Sequence, residues 1–214
     1  MITIENIQKS IRDAKNLISK LPIEISQYHG LSSQKIRHLL NNLCSFSDVK
    51  YLNVGVYTGS SFWSAIYHNS LKATAIDWWR NDSAKQDETY FYKNLAEILA
   101  KETQTQNREL NIINQDCFTV ELKDKYNIYF YDGGHSEENQ YKALTYFDKY
   151  LENKFILLVD DFDDEKVKNG TIRAIQELKY DIEFIWEAEG EFGNWNPDSL
   201  TWWNGFLVCL INKT

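Results

Sequence analysis

Acids follow short apolar runs at four places in this chain: Asp77, Asp116, Asp132 and the pair Asp160-Asp161. In an open α/β sheet the ligand sits outside the carboxyl ends of the strands, so acids in these places would line one edge of the molecule. A single acid there can be no more than a helix cap, but four in succession argue for a site. Asp132, Asp160 and Asp161 end runs expected to be neighbouring strands, 128–131 and 155–159, which would bring three carboxylates to one point. Like charge at that density is strained unless a cation relieves it. Oxygen ligands without cysteine suit Mg²⁺, with Mn²⁺ or Ca²⁺ as alternatives. A metal there could lower the pKa of a bound hydroxyl. His135 opens the helix after Gly133-Gly134 and is a candidate general base; a purely local hydrogen bond is the alternative. His29, His38 and His68 have no comparable context.

The acids need a platform, and residues 51–77, YLNVGVYTGSSFWSAIYHNSLKATAID, supply one. This stretch reads as strand 51–54, a glycine turn, a helix from Gly59 and strand 73–76 closed by Asp77, 22 residues after Gly55. Such a unit is a nucleoside-binding half of an α/β sheet, with an acid placed to accept ribose hydroxyls. The turn is a single G-x-x-x-G, Gly55 to Gly59, and lacks the third glycine that a pyrophosphate-binding fingerprint requires. A phosphate-free nucleoside such as S-adenosylmethionine fits it better than a dinucleotide, and a tight turn without any ligand is the alternative.

Strand and helix then alternate. Ile4, Ile7, Ile11 and Ile18 predict a helix over 3–20, and Ile36, Leu39, Leu40 and Leu43 a second one capped by Ser32 or Ser33. Further helices are expected at 84–101, through Leu144, Phe147 and Leu151, and at 166–179, with strands at 109–114, 128–131 and 155–159. The last two strands, 182–186 and 205–211, have no helix between them and predict an antiparallel edge on an otherwise parallel sheet. Residues 1–48 are expected to pack on the core or cover the cleft, and 49–214 to form the core of a single domain. Several of the seven tryptophans, between Trp195 and Trp203, could stack on a sugar or aromatic acceptor or pack in the core.

At 214 residues, with 43% hydrophobic and 14% aromatic residues, the chain can bury a full core. A net charge of −8 argues against a nucleic-acid surface. Cys44, Cys117 and Cys209 are scattered and suggest buried thiols rather than disulfides or a zinc site. No apolar run at the amino terminus is long enough for a signal peptide or membrane span, so a cytoplasmic protein is expected.

The runs LNVGVYTGSS, ATAID, IYFYDGGHSEENQ and FILLVDDF together resemble class I S-adenosylmethionine-dependent methyltransferases. Within that class they resemble small-molecule O-methyltransferases of the family 24 and macrocin (TylF-like) type, over roughly residues 31–212. The resemblance implies a Rossmann-like α/β fold, with a seven-stranded, mostly parallel sheet, an antiparallel last strand and helices on both faces. It implies that Asn53, Gly55, Tyr57, Gly59 and Ser60 line the cofactor, that Asp77 holds the ribose, and that Trp78 lies beside the adenine. Asp116 would lie near the adenine amino group, and Cys117 and Asp132 would also belong to the cofactor site. Asp132, Asp160 and Asp161 would bind Mg²⁺ or Mn²⁺, and Asp132 and His135 would be catalytic. Two positions depart from the pattern: Asn53 stands where an acid usually begins the glycine motif, and Gly134 where macrocin-type relatives place a second aspartate. The expected partner is a small-molecule acceptor, with a homo-oligomer as an option. The rival functions are an NAD(P)-dependent oxidoreductase and a non-catalytic binding module on the same fold.

Overall fold

The computed structural model describes residues 2–80, 82–104, 106–191 and 200–213. Three helices open the chain: α1 (Ile4–Lys15), α2 (Ile23–Ser26) and α3 (Gln34–Leu43). There follow β1 (Lys50–Val54), α4 (Ser60–Ile66), β2 (Lys72–Asp77), α5 (Asp82–Ala100), β3 (Glu109–Asn114) and β4 (Tyr126–Tyr131). The chain continues through α6 (Glu137–Phe147), β5 (Leu151–Asp160), α7 (Glu165–Glu177), β6 (Asp181–Ala188) and β7 (Phe206–Asn212). The seven strands form one sheet in the order β3-β2-β1-β4-β5-β7-β6, with β7 alone antiparallel to the rest.

Alternation of side chains along the strands makes two cores. Tyr51, Ala75, Phe130 and Leu158 face α1, α3, α4 and α5. Leu52, Val54, Tyr129, Tyr131 and Val159 face α6 and α7. β7 is buried from Phe206 to Ile211 because it is inserted between β5 and β6, not appended outside them. The edge is therefore β6, joined to β7 by the expected antiparallel pairing.

Two expected boundaries move. α1 stops at Lys15, not residue 20: Asn16 caps it, Leu17 turns left-handed at φ 54° and Ile18 points to solvent. Leu151 belongs to β5, not to α6, because a 3₁₀ turn at Asp148–Tyr150 ends the helix and Leu151 pairs with Tyr126 across a register break. Trp202 and Trp203 are buried, Trp202 edge-on to Trp186, so both serve packing and not acceptor stacking. Trp195 lies outside the described residues. Among the described residues no helix is long and apolar enough to cross a membrane.

The amino-terminal helices are fastened by buried polar groups as well as by apolar faces. The Asn41 amide donates to the Ser64 and Tyr67 carbonyls, and Asn69 donates to those of Asn41 and Ala65, closing the end of α4. His38 is buried with Nδ1 2.7 Å from Ser19 Oγ, and burial pushes its pKa down to about 4. Below its unfolded value of 6.5 the unfolded chain binds the proton that the folded chain refuses, so stability falls as pH drops from 6.5 towards 4. A loss of about 2 kcal/mol between pH 7 and pH 5 is expected in urea unfolding, relative to a His38→Gln variant. Equal slopes for the two proteins would refute this assignment.

Candidate functional site

At the carboxyl ends of β1, β2 and β4 the chain leaves a cavity of about 240 Å³. Its walls include Gly55, Val56 and Tyr57 of the turn, Ser60 and Ser61 of α4, Asp77 of β2, and Asp132, Gly133 and His135 after β4. Leu31, from the amino-terminal segment, closes one side. A larger concavity of about 730 Å³ lies at the opposite ends of the strands, around Lys50, Lys72 and Glu109. Its lysines are already paired, Lys50 with Glu152 and Lys72 with Glu109, and it holds none of the clustered acids.

The turn is shaped by the fold before any ligand is considered. Gly55 has φ +81°, and a Cβ there would lie 1.9 Å from the Asp132 carbonyl oxygen. Gly59 has φ +98° and opens α4; its Cβ would strike Phe91 and Trp63. Asn53 is buried and is not among the cavity walls. Its Oδ1 accepts from the Tyr51 hydroxyl at 3.1 Å and the Ser61 hydroxyl at 3.0 Å, while its amide donates to the Gly55 carbonyl. An amide can do both at once, which a carboxylate in this place could not.

Asp77 is engaged by the same turn. Its Oδ2 accepts from the Val56 and Tyr57 N–H groups at 2.8 and 2.7 Å, and its Oδ1 from the Trp78 N–H at 2.7 Å. Tyr57 is thereby held left-handed at φ 50°, and Trp79 Nε1 donates to its carbonyl. Trp78 is 45% exposed, with the Arg80 guanidinium 4.6 Å from its ring. Asp116 caps the 3₁₀ turn at Cys117–Thr119 by accepting from the Phe118 N–H at 2.9 Å. Burial, then the Asp116 charge, pushes the Cys117 thiol up to about 12, so it stays protonated near neutral pH. Trp78, Asp116 and Cys117 stand outside the walls of the cavity.

The acidic corner forms, with a changed membership. Asp132, His135 and Asp161 each bring one ligand atom within 4.8 Å of the others. His135 Nε2 lies 3.0 Å from Asp161 Oδ2, and Asn204 Nδ2 donates to Asp161 Oδ1 at 2.6 Å. Asp161 reaches this point because its backbone turns left-handed, φ 54°, directly after β5. Asp160 is not one of the three: it is 3% exposed, and among the described residues its Oδ1 has no hydrogen-bond partner. Burial and then the Asp161 charge hold the Asp160 carboxyl well above the usual carboxylate range. Burial, followed by the charges of Asp160, Asp161 and Asp77, does the same to Asp132. Asp132 is only half-buried, so water in the cavity tempers that shift.

Three features of the site carry no local sequence signal. Leu31 reaches the cavity because buried Arg37 gathers the segment before it, donating to the carbonyls of Ser26, Tyr28 and Gly30 and to the Ser32 hydroxyl. Ser32 in turn bonds Ser60 at 3.0 Å. Asn204 comes from beside β7, more than forty residues after its partner Asp161. Half-buried Asp87 of α5 lies near enough to Asp77 for that charge, after burial, to raise its carboxyl.

The sheet order and the single antiparallel strand define the Rossmann-like fold of class I methyltransferases. No protein-family model matches the chain, and no curated protein matches it by sequence. Solved structures with the same fold include an O-methyltransferase from Bacillus cereus in complex with SAH, at TM-score 0.57 and 11% identity. That likeness covers 99% of this chain and 93% of the other. The O-methyltransferase TomG from Streptomyces achromogenes, involved in tomaymycin synthesis and bound to SAM, matches at TM-score 0.55 and 15% identity, covering 99% and 91%. SAH-bound methyltransferase PaMTH1 from Podospora anserina matches at TM-score 0.56 and 8% identity, covering 99% and 89%.

Proposed function

We propose that this chain is an S-adenosyl-L-methionine-dependent methyltransferase acting on a hydroxyl of a small molecule, a sugar or a phenol, with a divalent cation assisting. One observation carries the reading. The glycine turn, Asp77, Asp132 and His135 line a single cavity at the carboxyl ends of the strands, and Asp161 stands within 4.8 Å of the last two. The likeness of the fold to SAM- and SAH-bound O-methyltransferases supports it. The cavity is smaller than the ~300 Å³ at which ligand pockets usually begin, so the rim has to yield for a whole nucleoside. Leu31, exposed at that rim, is a side chain able to do so.

S-adenosylmethionine supplies an electrophilic methyl on a sulfonium; the chain's task is to position the acceptor and manage its proton. His135 Nε2 lies 3.0 Å from Asp161 Oδ2, and Asn204 holds the other oxygen of Asp161 in place. That leaves Nδ1 able to take the acceptor's proton, with Asp161 stabilising the imidazolium. Asp132, Asp161 and His135 would hold the cation, whose contribution is to lower the pKa of the acceptor hydroxyl. The orphaned Asp160 oxygen and the crowding of carboxylates fit a cation nearby. A donor set that includes an imidazole suits Mn²⁺ better than Mg²⁺. His135 Nε2 cannot both donate to Asp161 and ligate a metal, so base and ligand are exclusive duties for that nitrogen.

The acceptor would reach the site as a small molecule; the net charge of −8 does not suit a nucleic-acid partner. Calorimetric titration with S-adenosylmethionine, its demethylated product and NAD tests the reading. Binding of the first two is expected, and tight binding of NAD alone would sink it.

A further inference from the structure

Asp161 is held in a conformation that its own backbone does not favour. It lies at φ 54°, in the left-handed region, and is buried. Such strain in a residue with a side chain persists only where the surroundings over-determine it. Here the surroundings are the short segment that leads into β7. Trp202 and Trp203 anchor that segment by burial. Its backbone runs alongside the residues that follow β5: the Asn204 carbonyl accepts from the Asp163 N–H at 3.0 Å, and the Gly205 carbonyl from the Phe162 N–H at 3.2 Å. Asn204 is 2% exposed, and this path brings its Nδ2 to 2.6 Å from Asp161 Oδ1.

The bond divides the two oxygens of Asp161. Oδ1 goes to Asn204, and Oδ2 faces His135 Nε2 at 3.0 Å, in the cluster that Asp132 completes. A neutral amide orients a carboxylate without cancelling its charge, which a lysine or arginine in the same place would do. The full charge of Asp161 therefore stays available to the cluster, presented through one fixed oxygen. We propose that Asn204 is a positioning residue of this site, holding Asp161 so that Oδ2 is presented to His135 and to a divalent cation. This rests on the cation reading above for the identity of the ligand. It gives the segment before β7 a part in binding that no strand-end acid reveals.

The test is calorimetric titration of the wild type, Asn204→Ala and Asn204→Leu with Mn²⁺ and, separately, with S-adenosylhomocysteine. Both variants remove the donor, and leucine nearly keeps the volume. Each is expected to weaken Mn²⁺ about tenfold or more, the usual effect of removing a group that orients a ligand. S-adenosylhomocysteine should bind each variant as it binds the wild type, because backbone amides and not Asn204 tie Asp77 into the glycine turn. A merely structural role would weaken both ligands together, and that result would overturn the assignment. Mn²⁺ affinity equal to the wild type in Asn204→Leu would assign the effect to packing and overturn it as well. A wild type that binds S-adenosylhomocysteine but not Mn²⁺ would overturn the cation reading and this assignment with it. A wild type that binds Mn²⁺ but not S-adenosylhomocysteine would overturn the methyltransferase reading, while the Mn²⁺ titrations still decide the role of Asn204.

Discussion

Replacing Gly55 by alanine is expected to cost the fold about 3 kcal/mol or more in denaturant unfolding. Two penalties add. The residue sits at φ +81°, where an L side chain is strained, and its Cβ would lie 1.9 Å from the carbonyl oxygen of Asp132. That oxygen is backbone held in register, since the Asp132 N–H donates to Val54 and the Gly55 N–H to Ile76. Neither strand can retreat without breaking ladder bonds between β1 and its neighbours β2 and β4. Gly134→Ala is the control: its Cβ would meet the end of the Asn139 side chain, which can rotate away, so little loss is expected. Equal stability of Gly55→Ala and the wild type would show that the two strand ends do not approach as described.

Asp160→Asn is expected to move stability and metal affinity in opposite directions. The Asp160 carboxyl is buried, has an oxygen without a partner among the described residues and is held above its usual range by burial and by Asp161. A carboxyl raised in the folded state binds its proton more readily there than in the unfolded chain. Its favourable contribution is complete below the unfolded value and is lost as pH rises through the folded one. The metal-free wild type therefore carries a strained acid at neutral pH, and the amide should melt a few degrees higher at pH 7 to 8, with a flatter decline above the unfolded carboxylate range. Mn²⁺ affinity, measured calorimetrically, should fall about tenfold or more, the usual effect of removing a group beside the ligands. A parallel loss of stability and metal affinity would mark Asp160 as a structural residue.

Both expectations rest on close approaches of unlike parts of the chain, and these divide what the sequence reveals from what it hides. The strands were legible because Val, Ile and Leu runs end in acids, and the parallel order followed from their alternation with helices. The insertion of β7 between β5 and β6 was not, since a hairpin pattern is the same whichever strand lies outside. Asp132 and Asp161 were legible as strand-end acids, and His135 as the histidine beside them. Asp116 kept the alternative role of a cap, accepting from Phe118.

Asn53 shows the limit most clearly. In the sequence it stands where an acid usually begins the glycine motif, and the fold uses it to join Tyr51, Ser61 and Gly55 in a buried network. Asp77 shows the reverse case: its place at the end of β2 was read correctly, but the three backbone amides it accepts are set by the path of the turn.

The sequence by itself determined the alternation of elements, the sheet edge on which the acids gather and the type of chemistry they suit. These follow from period and position along one chain. Tertiary structure alone decided which acids share a cavity, which are locked by backbone, that Leu31 closes one side and that Asn204 holds Asp161. Those relations depend on distances between segments remote in sequence, and hydrophobic periodicity carries no record of such distances.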